Sequence, residues 1–271
     1  MTQMKEHDRY LEVMTLKAQN VRIVDIVRQT GLTRSCVNNW VNRGSRINER
    51  ILNNNGVLTI IADPIEYIKS LNPNNSETDS FRSYSFILGL YFGDGCISRT
   101  GRSKQLSIAL DKKYPGLNEY VIYHMSQLFN KNPTIYDRSI DRGQKYKSNC
   151  INIKYSNKNL GIIFPHEGVG KKYERSIRLE KWQLAILDHV FMLKGLFFSD
   201  GCYYYDRANK KFMYSFTNKS KDIVDILCNS LNEMKIRYNI RLKCKEGVYI
   251  VTVKYQEDVS RLHILIGDKN F

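Results

Sequence analysis

The sequence predicts an α+β protein in which a tandem repeat of element order αββαββα follows a small all-helical domain. Two apolar segments that end in Asp-Gly, "ILGLYFGDG" (Ile87–Gly95) and "LKGLFFSDG" (Leu193–Gly201), begin the two copies. Segments with strand and helix patterns follow each of them in the same order, which indicates one duplication rather than a long solenoid. The first 50 residues show only helical periodicity. Together these observations favour two related halves behind an amino-terminal helical domain.

The amino-terminal domain, residues 1–50, is predicted to be a helix-turn-helix. In "NVRIVDIVRQTGLTRSCVNNWVNRG" apolar residues recur with helical spacing on both sides of Gly31, and Thr33 suits the N-cap of the second helix. In such domains the second helix enters the major groove of DNA. The side chains that this placement would direct toward DNA are Arg34, Ser35, Asn38, Asn39 and Arg43. A plain three-helix scaffold with a solvated polar face is the alternative.

Residues 51–80 are predicted to form a linker, because "LNPNNSETDS" (Leu71–Ser80) is polar and rich in helix-breaking residues. The two halves of the repeat then cover residues 81–173 and 174–271. Each half is expected to contain a helix, a hairpin, a second helix, two strands and a third helix.

The segments that carry this order alternate between strand and helix patterns. In the first half they are "CISRTGRSKQLSIALD", "YPGLNEYVIYHMSQLFN", "TIYDR", "NCINIKY" and "SNKNLGIIF". In the second half they are "CYYYDRANKKFMYSFTN", "SKDIVDILCNSLNEMK", "YNIRLKC", "GVYIVTVKY" and "QEDVSRLHILI". The closest internal match, "INIKY" against "VTVKY", has its apolar and polar positions in phase, as expected for equivalent strands.

Small residues in the two apolar segments predict that two helix backbones approach closely. Gly89 and Gly93 are four residues apart, as are Gly195 and Ser199. Small side chains at this spacing clear one stripe of a helix, so that another backbone can lie against it. We therefore expect the two segments to pack against each other along a pseudo-twofold axis.

That packing would bring Asp94 and Asp200 together at one end of the helix pair. A carboxylate at the negative end of a helix dipole costs about 0.3–1 kcal/mol, and the two carboxylates also repel each other. A hard divalent cation is the natural partner for them. Gly95 and Gly201, which follow, suit the left-handed position just past a helix end. The alternative is that both Asp-Gly pairs are ordinary turns.

The charge of the chain predicts a polyanionic partner. With 42 Lys and Arg against 27 Asp and Glu, the formal net charge is +15, which favours nucleic acid. A basic protein of the membrane surface is the alternative. No apolar run reaches the roughly 18 residues of a membrane span, and no signal-peptide core begins the chain, so a cytoplasmic protein without a membrane partner is expected. The six cysteines form no C-x-x-C pair, which predicts reduced thiols.

In the two apolar segments and the elements that follow them, from about Tyr84 to Phe271, the chain resembles monomeric, two-motif LAGLIDADG homing endonucleases. The resemblance implies a saddle of antiparallel strands over DNA, and a bacterial or phage origin. It implies Mg²⁺ (or Mn²⁺) held by Asp94 and Asp200, with the backbone carbonyls of Gly93 and Ser199. It also implies a monomer and a long, near-asymmetric site on double-stranded DNA.

The resemblance further assigns catalytic roles outside the two segments. A basic residue after the last helix of each half lies near the reacting phosphate, which corresponds to Lys172, with Lys171 close behind, and to Lys269. A polar residue after the second strand orders water in the active site, which corresponds to Asp111 and Asn218. For the lysines, ordinary solvated surface is the alternative.

Base recognition is expected from strand side chains, because a two-stranded β-ribbon fits the major groove. The candidates, including one basic loop residue, are Arg99, Arg102, Gln105, Arg138, Asn152, Lys154, Lys171, Lys211, Arg241, Thr252 and Lys254. Any exposed strand face in so basic a protein carries similar residues, so the individual assignments are hypotheses.

The function expected from the sequence is site-specific, metal-dependent cleavage of both DNA strands, in which each half supplies one aspartate. The main alternative is a non-cleaving transcriptional regulator that pairs the same repeat with a helix-turn-helix. An RNA-splicing maturase is a third candidate.

Overall fold

The computed structural model describes residues 12–17, 19–42, 63–101, 103–137, 149–168, 170–243 and 247–269. The chain divides into two units, Met1–Asp63 and Pro64–Phe271. Within the described residues no helix combines the length and the apolar character that a membrane crossing requires.

The first unit contains short helices around a small apolar core. Residues 12–17 are helical, and α1 (Ile23–Thr30) and α2 (Arg34–Asn42) follow. Gly31 ends α1 in the left-handed conformation with a φ of 67°, which favours glycine. The Thr33 hydroxyl accepts a hydrogen bond from the Cys36 amide at 3.2 Å, so Thr33 caps α2. The buried side chains of this core are Val13, Ile26, Val37 and Trp40.

The second unit begins with a helix and then contains the first half of the repeat. Its elements are α3 (Pro64–Leu71), α4 (Glu77–Phe92), β1 (Gly95–Thr100), β2 (Ser103–Asp111), α5 (Pro115–Phe129), β3 (Thr134–Asp137), β4 (Cys150–Asn157) and α6 (Leu160–Ile163). From α4 onward their order is αββαββα.

The second half repeats this order after a short connection. That connection contains a 3₁₀ turn (Lys172–Glu174) and α7 (Lys181–Ile186). The repeated elements are α8 (His189–Asp200), β5 (Gly201–Asp206), β6 (Lys211–Asn218), α9 (Lys221–Glu233), β7 (Asn239–Lys243), β8 (Val248–Val253) and α10 (Gln256–Ile266). The predicted α+β class and its tandem order are confirmed.

Part of the predicted linker is helical. Residues 64–71 form α3, and α4 begins at Glu77 rather than after residue 80. Ser76 caps α4, since its hydroxyl accepts a hydrogen bond from the Asp79 amide at 3.1 Å. The polar residues that indicated a linker therefore include the cap and first turn of a helix, where such residues are favoured. Residues 51–62 of the linker lie outside the described residues.

The two halves build two four-stranded antiparallel sheets with the same strand order, β1-β2-β4-β3 and β5-β6-β8-β7. The registers also correspond, because Gly95 pairs with Ile108 and Gly201 pairs with Phe216. In each sheet one face carries the buried apolar side chains and packs against helices. We call the opposite face of each sheet its open face.

The two halves share one hydrophobic core, at whose centre α4 crosses α8. A Cβ atom added to Gly89 would lie 2.6 Å from the carbonyl oxygen of Met192 and 3.0 Å from the Cα of Gly195. A Cβ atom added to Gly195 would overlap the carbonyl oxygen of Phe86. The two backbones are therefore in direct contact, and only glycine fits at either position.

Gly95 and Gly201 do not have the left-handed conformation that the sequence predicted. Both begin strands, and Gly201 has an extended φ of −101°. A Cβ atom on Gly95 would lie 2.5 Å from the Cα of Tyr91, and one on Gly201 would lie 2.7 Å from the Cα of Phe197. Glycine is required here because the chain folds back against the helix it has just left.

Candidate functional site

Two aspartates follow the crossing of α4 and α8 at the same end. Asp94 comes two residues after the last residue of α4, and Asp200 is the last residue of α8. A Cβ atom added to Gly93 would lie 3.3 Å from Oδ2 of Asp200 and would overlap the Ser199 side chain. The absence of a side chain at position 93 thus lets the ends of the two helices converge with their carboxylates.

Both carboxylates have pKa values above the ordinary 3.8. The surrounding protein displaces part of the water from the Asp94 carboxylate and thereby raises the pKa of Asp94. The negative charge of Asp200 raises this pKa further. Burial also raises the pKa of Asp200, although Asn218 opposes this by a hydrogen bond. Lys172 and Lys269 lower both values. The two ionised carboxylates are therefore electrostatically destabilised, and a bound cation would stabilise them.

Lys172 covers the carboxyl end of α4. Its ammonium group donates hydrogen bonds to the carbonyl oxygens of Tyr91, of Phe92 at 3.1 Å and of Gly93 at 2.8 Å. Burial lowers the Lys172 pKa from 10.5 to about 8, although Asp200 and Asp94 favour the charged form. The side chain therefore carries a proton that can be exchanged near neutral pH.

Lys269 covers the end of α8 in the same manner. Its ammonium group donates to the carbonyl oxygen of Ser199 at 2.9 Å. Burial lowers the Lys269 pKa, while Asp94 and Asp200 favour its charged form. Each helix end thus has one carboxylate and one lysine from the same half of the repeat.

The two polar residues that end β2 and β6 have different partners. The Asn218 amide donates to Oδ2 of Asp200 at 2.7 Å, so it belongs to the site. The Asp111 carboxylate instead accepts hydrogen bonds from the Asn149 amide at 2.7 Å and from the backbone N–H of Lys113 at 3.0 Å. These contacts lower the pKa of Asp111, the backbone bond most.

A cleft of about 460 Å³ opens beside Asp200. We call it the first cleft. The predicted site residues Gly93, Lys171, Lys172 and Asn218 line it together with Asp200. Sequence reasoning missed three further lining residues, and they are Tyr173, Arg175 and Lys219. The lysines in "GVGKKYERS" gave a local signal, but the convergence of this loop with the β6–α9 turn depends on the whole fold.

The donor set fits a hard divalent cation. Within the described residues, no group of three or more His, Cys, Asp or Glu side chains is arranged to hold a metal. The two carboxylates of Asp94 and Asp200 are nevertheless ligands that Mg²⁺ prefers, and Mg²⁺ is commonly bound by one or two carboxylates. The carbonyl oxygens of Gly93 and Ser199 accept hydrogen bonds from lysines, and each retains a second lone pair.

Strand register decides which candidate side chains lie on the open faces. On the first sheet, Ser107 pairs with Lys154 and Ala109 with Asn152, opposite in face to the buried Ile108. The candidates with this orientation are Gln105, Asn152 and Lys154 on the first sheet, and Lys211, Arg241 and Thr252 on the second. Asn152 is buried, however, so its assignment to base recognition is wrong. Lys254 directly follows β8.

Arg99 has the opposite orientation. It alternates with Gly95 and Ile97, and Ile97 packs against the core, so its side chain is directed to the helix side. The prediction that Arg99 recognises bases from the open face is therefore wrong. In the first unit, Arg34 and Ser35 are exposed on α2. The same helix contains Asn38, which is half-buried, and Asn39. Arg43, Arg102 and Arg138 lie outside the described residues.

Comparison with known proteins gives a family match and a shared fold. Residues 190–270 match a family model described as the WhiA LAGLIDADG-like domain. The second half of the chain is thus similar to the LAGLIDADG-like domain of the WhiA type. The comparison with curated proteins found no matching relative.

Solved structures extend the similarity over both halves. The homing endonuclease I-WcaI bound to its DNA recognition sequence has a TM-score of 0.50 at 18% identity, over 75% of this chain and 88% of that chain. I-DmoI in complex with DNA and Mn has a TM-score of 0.47 at 19% identity, over 69% and 98%. The N-terminal LAGLIDADG domain of DUF199/WhiA has a TM-score of 0.42 at 15% identity, over 76% and 88%. At this identity the likeness to I-WcaI establishes the fold and not the activity.

Proposed function

We propose that the protein is a site-specific, metal-dependent endonuclease that cleaves both strands of DNA, each half supplying one aspartate. The observation that carries this proposal is the convergence of Asp94 and Asp200 at the ends of two crossing helices, each beside a lysine. A protein that only bound DNA would gain little from two carboxylates with raised pKa values inside its basic surface.

DNA as the partner is supported by charge and by shape. The net charge of +15 favours a polyanion. The open faces present Gln105 and Lys154 on one sheet and Arg241 and Thr252 on the other. These side chains can hydrogen-bond to base edges, and the similar protein I-WcaI is bound to its DNA recognition sequence. Because one chain carries both halves, we propose that it acts as a monomer.

The metal would be Mg²⁺ or Mn²⁺, held by Asp94 and Asp200 with the carbonyl oxygens of Gly93 and Ser199. When bound, it would supply Lewis-acid activation of water and stabilisation of the leaving oxygen. Asn218 holds the Asp200 carboxylate in place through its 2.7 Å hydrogen bond. Lys172, whose pKa is about 8, places on Nζ a positive charge and a transferable proton near the phosphate.

The amino-terminal unit would add contacts to DNA. The turn at Gly31 and the capped α2 support a helix-turn-helix in residues 1–50. In that arrangement Arg34 and Ser35, which are exposed at the start of α2, would contact base edges or phosphates. The result would be a longer recognition site than the repeat alone could read.

A non-cleaving regulator is the second candidate. The observation that favours it is the family match of residues 190–270 to the WhiA LAGLIDADG-like domain. In that case the open faces and α2 would select the DNA, and the acids would have no chemical role.

Cleavage of a plasmid library that carries random inserts, in Mg²⁺ and in Mn²⁺, separates the two candidates. We expect the wild-type protein to linearise a subset of the plasmids. An Asp94→Asn/Asp200→Asn variant should cleave at least about 100-fold more slowly, the scale of losing a preorganised charge stabiliser, and should still bind DNA. Cleavage by this variant at the wild-type rate would rule out the mechanism. Specific binding by the wild type without cleavage would establish the regulator.

A further inference from the structure

The first cleft collects positive charge from both halves of the repeat. Its charged lining residues are Lys171, Lys172, Arg175 and Lys219, against the one carboxylate of Asp200. Since Lys172 is already engaged by the end of α4, three cations remain to face the cleft. Lys171 shares its charge with Glu174 at 3.9 Å, which is half exposed.

Tyr173 brings two of these cations together. The ammonium of Lys171 lies 5.4 Å from the centre of the Tyr173 ring, and that of Lys219 lies 5.5 Å from it. Lys219 belongs to the turn after β6 in the second half, whereas the other two residues follow α6 in the first. The Tyr173 ring therefore lies between two ammonium groups, one from each half of the repeat, on one side of the cleft.

Arg175 is the most unusual member of this group. Its Nε and Nη1 atoms are buried and make no well-aligned hydrogen bond within the part of the chain that the structure describes. The guanidinium lies near the Tyr91 hydroxyl, whose pKa burial raises and Arg175 lowers through its charge and a side-chain hydrogen bond. That hydroxyl donates its own proton to the His166 carbonyl at 3.1 Å, and its oxygen can still accept from Arg175. Buried charged donors whose nearby acceptor is poorly aligned are costly. A fork of N–H groups in this state is suited to the oxygens of a phosphate.

Glycine at position 168 makes room for this guanidinium. A Cβ atom on Gly168 would overlap Nη1 of Arg175. The segment "GVGKKYER" lacks the spacing of a phosphate-binding P-loop, and here a side chain rather than a row of backbone amides provides the donors. Gly168 is therefore required by the position of the Arg175 side chain.

The corresponding cleft beside Lys269 is different. It has a volume of about 90 Å³, and its charged lining residues are Asp268 and Lys269. Tyr114, Tyr203 and Tyr214 supply much of its remaining lining. The two clefts therefore differ in charge as well as in size.

We infer that the first cleft contains an anion site for a phosphate group, with Arg175 as the residue that contacts it and Lys171 and Lys219 beside it. If the proposed function holds, this phosphate belongs to the DNA strand next to Asp200, and the protein holds the two strands unequally. A free phosphate is the other source of the same chemistry.

The test measures binding of duplex DNA without metal, in EDTA, across a series of salt concentrations. Arg175→Gln should weaken binding about equally for all sequences and reduce the slope of log K against log salt by about 1. Arg175→Lys should restore the slope but only part of the affinity, because lysine keeps the charge and loses the fork. Lys131→Gln, an exposed lysine in the turn after α5, is the matched charge control and should leave the slope unchanged.

Gly168→Ala is a second variant that keeps the charge of the chain and displaces the guanidinium. It should lower the affinity as Arg175→Gln does. Thermal unfolding of both variants checks that the fold is retained. A slope and an affinity equal to those of wild type in both folded variants would overturn a site for the DNA backbone.

Inorganic phosphate distinguishes the two sources. Titration at constant ionic strength should displace DNA from wild type more readily than from Arg175→Gln if the site takes the backbone. Phosphate binding that Arg175→Gln abolishes, with an unchanged DNA slope, would identify free phosphate as the ligand. Loss of neither interaction would overturn the inference.

A cleavage measurement is independent of these binding measurements. On a nicked-circle assay with one labelled strand at a time, Arg175→Gln should slow cleavage of one strand by about tenfold and leave the other unchanged. If the wild-type protein does not cleave DNA, the proposed function fails while the binding arms still decide the anion site. Equal slowing of both strands would overturn the unequal hold.

Discussion

Asn218 and Asp200 are joined by a 2.7 Å hydrogen bond from the amide Nδ2 to Oδ2. Asp111, which ends the corresponding strand of the first half, is held by Asn149 and Lys113 instead. The two acids that end the crossing helices are therefore supported differently, although the strands around them have the same order.

The first prediction concerns the protonation of Asp200. Asn218→Ala removes a hydrogen bond that lowers the pKa of this carboxylate, so the pKa rises further above 3.8. Because the ionised form is required to hold the metal, cleavage should be lost at a higher pH as the solution is acidified. A bond to a charged group is worth about 1.5–3 kcal/mol, which corresponds to a shift of the acid limb by about one to two pH units.

The measurement is the cleavage rate from pH 5 to 8, and Asn149→Ala is the matched control. It removes an amide that contacts Asp111 rather than Asp200, so its acid limb should coincide with that of wild type. Equal shifts in the two variants would contradict the separate roles of the two amides.

The second prediction concerns the cost of the acid pair. The folded-state pKa of Asp94 is raised above 3.8, so ionisation costs the folded chain more than the unfolded chain. The cost is absent below pH 3.8 and complete above the raised pKa, and stability is lost as the pH rises between them. Asp94→Asn should therefore be more stable than wild type at pH 7, by roughly 0.3–1 kcal/mol from the helix end alone.

Urea unfolding in EDTA at pH 7 and at pH 4 measures this difference. The advantage of Asp94→Asn should shrink as the pH is lowered from 7 to 4, because the raised pKa lets the folded protein take up this proton at a higher pH than the unfolded chain does. A variant less stable than wild type at pH 7 would show that the nearby Lys172 and Lys269 outweigh burial and repulsion.

The third prediction concerns the helix crossing. Gly195→Ala places a methyl group where the Phe86 carbonyl oxygen and the Gly89 backbone already lie. Such overpacking costs about 1–3 kcal/mol and sometimes more, and it moves Asp94 and Asp200 apart. We expect a lower free energy of unfolding together with loss of cleavage.

Gly161→Ala is the control for this substitution. A Cβ atom there meets Nζ of Lys104 and Oε1 of Glu167, which are the ends of flexible side chains. Its free energy of unfolding should change by no more than about 0.5 kcal/mol. An equally small effect of Gly195→Ala would mean that the two helices separate without cost.

The fourth prediction uses the register of the first sheet. Lys154 lies on the open face, with its ammonium 4.4 Å from the centre of the Tyr136 ring, whereas Arg99 is directed to the other side. Lys154→Gln should weaken duplex binding by about 1–3 kcal/mol if the lysine contacts a base. Arg99→Gln, which removes the same charge, should have little effect in fluorescence anisotropy titrations. A larger effect of Arg99→Gln than of Lys154→Gln would contradict binding of DNA to the open face of the sheet.

The repeat was predictable from sequence because its signals are local. Strand alternation, helical period and the spacing of Gly89 and Gly93 are each visible within a few residues, and the duplication doubled every signal. The helix that begins at Glu77 was missed, although Ser76 three residues before Asp79 is a capping pattern that identifies it. Its polar first turn was mistaken for a linker.

The remaining site could not be predicted because it depends on distant contacts. Arg175, Tyr173 and Lys219 meet in the first cleft only after two loops of different halves converge. The role of Gly95 was misjudged for a related reason, since its close contact with Tyr91 cannot be distinguished from a turn by residue type. Asp111 and Asn218 each end the second strand of their half, but the registers place them one residue out of step. They therefore lie on opposite faces of their sheets, and Asn218 is the one that bonds to an acid.

The main-chain contact between Gly89 and Gly195 also limits how such proteins can be recombined. If the proposed function holds, exchanging one half for that of a related protein would be a direct way to assemble new target specificities. Because the two backbones touch directly at these glycines, with no side chain between them to absorb a mismatch, a chimera would tolerate only a donor half whose helix follows the same path and has glycine at the same position. Retargeting is thus restricted by a few ångströms of clearance far from the bases themselves.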